Sequence, residues 1–185
     1  AGTQSGNTRI DVMVVYTSET RIKAGGTSAI KATIDQGVAE ANIGYINSHI
    51  YIDLNLVHTQ EVSHSEFLLS WNNIGDQLEA TDDGVLDEVH PLRDFYGADI
   101  VALIVERLDD SNIAGRANAI MATAATAFCV VQRNAIFQHT HSFAHEVGHL
   151  QGARHDRSLD DTDYSHYTYN HGYVNNVKKW RTIMT

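Results

Sequence analysis

His145-Glu146-Val147-Gly148-His149-Leu150-Gln151-Gly152-Ala153-Arg154-His155-Asp156 holds three imidazoles, the Glu146 carboxylate and the glycine Gly152 at spacings that suit a hydrolytic zinc site. On a helix, residues four apart share a face about one turn, roughly 6 Å, along the axis. His145 and His149 can therefore aim ring nitrogens at one ion about 2.0–2.1 Å from each. Glu146, next after the first ligand, leans over the open coordination position, where it can take a proton from the metal's water. His155 cannot join from a continuous helix, because ten residues carry it about 15 Å along the axis. Gly152 removes that obstacle: glycine enters left-handed backbone space at little cost, so the helix can stop and the chain double back. His155 then closes a three-nitrogen site with one position left for water. The bland alternative is an accidental match on an amphipathic helix, and the placed glycine and third histidine weigh against it.

At these residues the chain resembles the metzincin zinc endopeptidases, whose signature is this elongated motif followed by a methionine turn. The resemblance extends to Arg181-Thr182-Ile183-Met184. It implies that Met184 is a soft, apolar floor beneath the ligands, the plain alternative being an ordinary core methionine. Asp156, directly after the third histidine, is similar to the reprolysin or adamalysin branch. Gly172-Tyr173 together with Trp180 to Met184 resembles bacterial reprolysin-like enzymes, among them the peptidyl-Asp metallopeptidases. The specific motifs cover residues 145 to 184; upstream the likeness is one of element order. One departure is that the chain stops at Thr185, where the family continues through a further helix.

Outward from the motif, the chain alternates strand and helix patterns. Arg9 to Thr17 is β-branched and apolar and predicts a buried strand. Thr27 to Ser48 carries a helical stripe (Ile30, Ile34, Val38, Ala41, Ile43, Tyr45), with Ser28 or Thr27 as its cap. Ile50 to Val62 alternates as a second strand. Asp83 to Tyr96 predicts a helix with a break or kink at Pro91. Asp99 to Glu106 predicts a buried central strand, and Ile113 to Met121 and Thr126 to Gln132 two more. The active helix is expected from about Phe137 to Gln151.

This order implies an α/β sheet backed by helices. By the resemblance, it is a metzincin-type zincin with a twisted, mostly parallel five-stranded sheet and an antiparallel edge strand. The expected organisation is one catalytic domain over 1–185. Residues 1–151 form an upper sub-domain with the sheet and active-site helix, and 152–185 a small, irregular lower one. The small-residue run Ala114 to Ala119 then forms the cleft edge, where Gly115 and Arg116 meet substrate. An open edge offers backbone groups with which an extended peptide can pair. The alternative for Gly115 is a plain bulge.

The length suits one domain with a sizeable core, and 43% hydrophobic content is ordinary for a globular chain. Thirteen basic against 23 acidic side chains give a net charge of −10, which argues against nucleic acid as a partner. No apolar run approaches the 18 or more residues of a membrane helix. Ala1 to Thr8 carries neither a basic nor an apolar segment, so the sequence reads as a processed, mature form. With the resemblance, that implies a secreted monomer whose inhibitory propeptide is not part of this chain. Cys129, the one cysteine, lies in an apolar run and reads as a small buried strand residue. Its alternative is a disulfide with a cysteine beyond Thr185.

Other candidates carry less. A set of His141, His145 and His149 spans about 12 Å of helix axis, too far for one ion. His139 and His141 therefore read as solvated, and His166 and His171 as surface loop residues. Asp156, Asp160, Asp161 and Asp163 can supply several of the six to eight oxygens of a Ca2+ site, without EF-hand spacing. The alternative is a solvated loop, with Asp156 bonding backbone beside the third ligand. Tyr164, Tyr167, Tyr169 and Tyr173 all remain open as an assisting phenol.

The reading is a zinc-dependent endopeptidase with His145, His149 and His155 as Zn2+ ligands and Glu146 as general base, acting on peptide or protein substrate. Resemblance to the peptidyl-Asp enzymes implies cleavage on the amino side of Asp, hence a cation in the primed-side pocket. Lys178, Lys179 and Arg181 crowd before Met184; Arg116 and Arg154 compete for the role. The alternatives are a broad-specificity protease, a zinc hydrolase of another substrate, and a non-catalytic binding module of the same fold.

Overall fold

The computed structural model describes residues 7–66, 70–106, 113–136, 140–162 and 167–185. Its first half keeps the expected three strands and adds two helices to the two expected ones: β1 (Thr8–Thr17), α1 (Ser18–Ala24), α2 (Thr27–Asn47), β2 (Ile52–Val62), α3 (Trp71–Glu79), α4 (Val89–Tyr96) and β3 (Ile100–Val105). Then come β4 (Gly115–Ala117), β5 (Phe128–Gln132), α5 (Ser142–Leu150) and a small ribbon of β6 (Val174–Asn175) and β7 (Trp180–Arg181). The main sheet runs β2-β1-β3-β5-β4. β1, β2, β3 and β5 are mutually parallel, and β4 lies antiparallel on β5 at the edge. This is the mostly parallel five-stranded sheet with an antiparallel edge that the resemblance implied.

Both faces of the sheet are buried, which explains why the central strands read as continuous apolar runs. Val12, Val14, Ile100, Ala102, Ile104, Cys129 and Val131 face Ile30, Ile34 and Val38 of α2 and Phe143, Val147 and Leu150 of α5. Alternate residues Met13, Val15, Val101, Leu103, Val105, Phe128 and Val130 face Trp71, Ile74 and Leu78 of α3 and Val89 of α4. α5 is thereby pressed on the sheet beside β5 and the edge strand. Among the described residues no helix is long and apolar enough to cross a membrane.

Several sequence expectations need correction. α2 is preceded by Gly26 and has no side-chain cap, so neither Thr27 nor Ser28 caps it. α4 begins only at Val89; Asp83 to Glu88 instead fold into turns, with Asp83 and Asp87 accepting from the backbone N–H of Val85 and Gly84. Pro91 thus falls in the first helical turn, where its missing N–H has no partner to lose, and no kink results. α1 and α3 were not anticipated. α3 shows its signal in retrospect: Ser70 accepts from the Asn73 N–H at 3.3 Å, and Trp71, Ile74 and Leu78 form one apolar face. Asn72, Asn73 and Gly75 are weak helix formers that hide it.

β4 is shorter than the expected strand Ile113 to Met121. Past Ala117 the chain leaves the sheet, and the Met121 and Ala122 N–H groups donate to the carbonyls of His149 and Leu150 at 3.0 and 2.8 Å. Those carbonyls lie in the last turn of α5 without an i+4 partner in the helix, although His149 also accepts from the Gly152 N–H at 2.8 Å, so capping a helix end outweighs extending a ladder here. α5 begins at Ser142 behind a left-handed His141 (φ 48°), later than expected; Phe137 and His139 lie outside the described residues.

Candidate metal centre

His145 and His149 are the fourth and eighth residues of α5 and share one face, as the spacing requires. Gly152 has φ +101°, the left-handed turn that reverses the chain after α5. Arg154 then bridges to His171, with N–H to O distances of 2.8 Å to Asn170 and from Gly172. The Asn170 amide donates to the Gly152 carbonyl at 2.6 Å, and His171 Nδ1 donates to the His155 carbonyl at 2.9 Å. These bonds fix the returning strand, and His155 arrives opposite the helix.

The three Nε2 atoms form a nearly equilateral triangle of 3.0, 3.0 and 3.1 Å. His145 Nδ1 lies 2.7 Å from the Ile183 carbonyl and His149 Nδ1 2.8 Å from the Ala153 carbonyl. A carbonyl only accepts, so both Nδ1 atoms carry the proton and both Nε2 atoms present bare lone pairs. Lone pairs converging at this distance repel unless a cation sits among them. Tetrahedral bonds of about 2.0–2.1 Å imply nitrogen separations of about 3.3 Å, close to those seen. The residues fit a metal ion held by three imidazole nitrogens. Burial, foremost, pushes His149 down to about 4, and burial with the charges of His155 and Arg181 also lowers His145, so both stay neutral near pH 7. Among the described residues these three histidines form the one group of metal-ligating side chains close enough to share an ion.

Glu146 leaves the same helix toward the edge strand and is only 6% exposed. A Cβ on Gly115 would stand 2.6 Å from Glu146 Oε1, so glycine is what lets the carboxylate lie against β4. That close approach, not a bulge, accounts for Gly115. The Asn118 N–H donates to Phe128 and the Gln132 N–H to Ala114, which turns the intervening N–H groups of Gly115 and Ala117 to the open edge. The Ala117 N–H donates to Glu146. Burial pushes the Glu146 carboxyl up to about 8 against this bond; a bound dication would act in the opposite sense. Cys129, paired with Ala117 across the ladder, is fully buried, and burial with the Glu146 charge drives its thiol well up.

The turn at Ile183 and Met184 serves the site twice. Its Ile183 carbonyl orients His145, and Met184 Sδ lies where a Cβ on Gly148 would come within 2.8 Å. Met184 is therefore packed under α5 between the ligand positions. Ile183, Ala153, Asn170 and His171 were missed by sequence reasoning. The first two act through backbone carbonyls, which leave no side-chain signature, and His171 had been set aside as surface.

The predicted substrate-binding residues scatter. Arg116 projects from the face of β4 opposite Glu146 and is spent on α3, with Asp76 Oδ1 at 3.2 Å and the Asn72 carbonyl at 3.3 Å. Arg154 forks onto Asp160 at 2.9 and 3.2 Å. Lys178 and Lys179 stand exposed in the β6–β7 turn, and exposed Arg181 donates to the Thr185 carbonyl at 2.6 Å. Asp156 accepts from Ser158, and hydrogen bonding from Thr162, then Arg154, holds Asp160 well below the usual carboxylate range. These two acids of the proposed calcium loop are thus engaged locally, while Asp163 lies outside the described residues. Tyr167, Tyr169 and Tyr173 are exposed, whereas Tyr164 and His166 lie outside the described residues. His141 pairs with Glu40 at 3.1 Å.

An α/β sheet carrying two histidines of one helix and a third from the returning chain defines a three-histidine metal centre. Residues 6–185 match the reprolysin-type model described as metallo-peptidase family M12, and the chain belongs to that family. A catalytic metal follows from membership and from the histidine cluster. A peptidyl-Asp metalloendopeptidase of Xanthomonas campestris is 38% identical over 95% of this chain, and one of Stenotrophomonas maltophilia 37% over 95%. The chain spans about two fifths of these relatives, 40% and 41% of their lengths. One chain of a solved chaperone–substrate complex aligns with a TM-score of 0.72 at 22% identity, covering 96% of this chain and 30% of that one; it supports the fold alone.

Proposed function

We propose that the chain is the single catalytic domain of a zinc endopeptidase that cuts on the amino side of Asp. The observation that carries the reading is the triangle of converging Nε2 atoms beside a buried carboxylate at an open sheet edge. His145, His149 and His155 would hold the ion. When bound, zinc supplies a Lewis acid and a water of lowered pKa. Glu146 would take the proton of the attacking water on a carboxylate oxygen and pass it to the leaving amine. The edge strand β4 pairs with an extended peptide. Met184 and Ile183 keep the first ligand in place.

A binding module without turnover has no use for Glu146: burying a carboxylate with so few partners costs stability and serves only chemistry. For Asp recognition, Arg116 and Arg154 already pair with the carboxylates of Asp76 and Asp160, whereas Arg181 donates to a backbone carbonyl; this leaves Lys178, Lys179 and Arg181. Arg181 is the best of these, because its charge already reaches His145 and its planar fork suits a carboxylate. The names of the relatives point to Asp as well. A secreted, monomeric protein held inactive by a propeptide completes the reading, to be checked by culture fractionation, sizing and expression of the longer precursor.

Digesting a denatured proteome with and without chelator tests the whole reading. Cuts before Asp that vanish with chelator are expected. Equal cutting before Leu or Phe would replace Asp preference by broad specificity, and no chelator-sensitive cutting would remove the peptidase.

A further inference from the structure

β4 is three residues long, hydrogen-bonded to the sheet on one side only, and its two faces meet different neighbours. Gly115 and Ala117 face Glu146. Arg116 and Asn118 face α3, where Arg116 reaches Asp76 and the Asn72 carbonyl, and the Asn118 amide donates to the Gly75 carbonyl at 2.7 Å and Glu79 at 2.9 Å. Arg116 also donates to Asn118 Oδ1 at 3.3 Å. A Cβ on Gly75 would collide with the Arg116 guanidinium and stand 2.7 Å from Asn118 Oδ1. Gly75 therefore lets the Arg116 and Asn118 side chains lie directly on the α3 backbone, as Gly115 lets the Glu146 carboxylate lie on the backbone of β4. The edge strand is clasped between two close approaches, one to α3 and one to Glu146.

We propose that α3 is the element that positions the Glu146 carboxylate, acting through the edge strand, with Arg116 and Asn118 as positioning residues. The β5 ladder fixes one edge of this short strand, and the bonds of Arg116 and Asn118 to α3 hold the face turned away from Glu146. If β4 lifts, the Ala117 N–H and the Gly115 contact move, and the carboxylate they hold moves with them. Arg116 thus works through the strand and not as a reader of substrate charge. The inference rests on Glu146 acting as the general base.

The test compares Arg116→Met, Arg116→Lys and Asn118→Ala, each also combined with Glu146→Gln. In the zinc-loaded protein, Arg116→Met and Asn118→Ala should lower kcat about 10- to 100-fold with a smaller change in KM and unchanged zinc content. Arg116→Lys, which keeps the charge facing Asp76, should recover part of the loss. In the Glu146→Gln background the same changes should cost nothing further, because residues acting through one group are not additive. In the metal-free protein, hydrogen exchange at the Ala117 amide should rise about tenfold or more while the β5 amides of Val130 and Val131 keep their protection. Equal losses in both backgrounds, or an Ala117 amide as protected as in the unmodified protein, would overturn the proposal. An unmodified chain that cuts no peptide would instead sink the proposed function, and the exchange measurement would still decide whether α3 holds the strand.

Discussion

Glu146 is a carboxylate held where burial opposes its charge, and its behaviour separates chemistry from stability. Glu146→Gln should keep zinc and fold and lose about 10²–10⁴-fold in kcat, measured on an Asp peptide; retention of more than a tenth of the activity contradicts the general-base role. Its folded-state value of about 8 lies above the ordinary 4.5, so in metal-free protein its contribution is intact below pH 4.5 and is lost as pH rises toward 8. Metal-free Glu146→Gln should accordingly exceed the metal-free unmodified chain in stability by about 3 kcal/mol at pH 7, with no difference near pH 4. Urea melts at the two pH values check this. Two glycines near Met184 make a second pair. A Cβ on Gly148 meets Met184 Sδ, in a flexible side chain, whereas a Cβ on Gly172 collides with the Met184 carbonyl oxygen. Gly172→Ala must shift the turn that carries the Ile183 carbonyl, so its zinc affinity should fall about 10–100-fold, and that of Gly148→Ala much less. Competition with a chromogenic chelator ranks them.

At the scale of elements, α5 is a nine-residue helix that supplies two ligands and the base, and everything else at the site comes to it. Its last carbonyls are capped by Met121 and Ala122, and Gly152 ends it where the third ligand must return. His155→Ala should weaken zinc binding at least about 100-fold and also loosen the chain after Gly152, since a metal tie between segments is folding energy as well as affinity. Stoichiometric tight zinc in that variant would remove His155 from the ligand set; hydrogen exchange over residues 152–185 reads the loosening. The helix and its ligands were legible because the 3.6-residue period turns a sequence spacing directly into a shared face. α3 was not, because its three apolar positions are separated by poor helix formers and its stability comes from the sheet it covers.

Across the whole molecule, the sheet and its helices form two continuous cores, while the described part of residues 152–185 carries its own two-stranded ribbon and meets α5 at the histidine triangle, the Ala153 and Ile183 carbonyls and Met184. Removing metal should therefore act unevenly. Chelator at pH 7 should lower Tm by about 10 °C, the size expected for a ligand at about a thousand times its Kd, and expose residues 152–185 to proteolysis before the sheet. Cuts appearing first in β1 or β3 would contradict this division.

The sequence by itself determined the ligands, the base, the turn at Gly152 and the alternation of buried strands, since each is a local spacing or pattern that the backbone converts into geometry with little outside help. Only the tertiary structure decided which carbonyls orient the imidazoles, that Gly115 is glycine because Glu146 lies against it, and that Arg116 and Arg154 are engaged within the chain. Those are contacts between segments distant in sequence. Their partners are set by how helices and strands come to rest on the sheet, and a charged side chain carries no local sign of which neighbour will claim it.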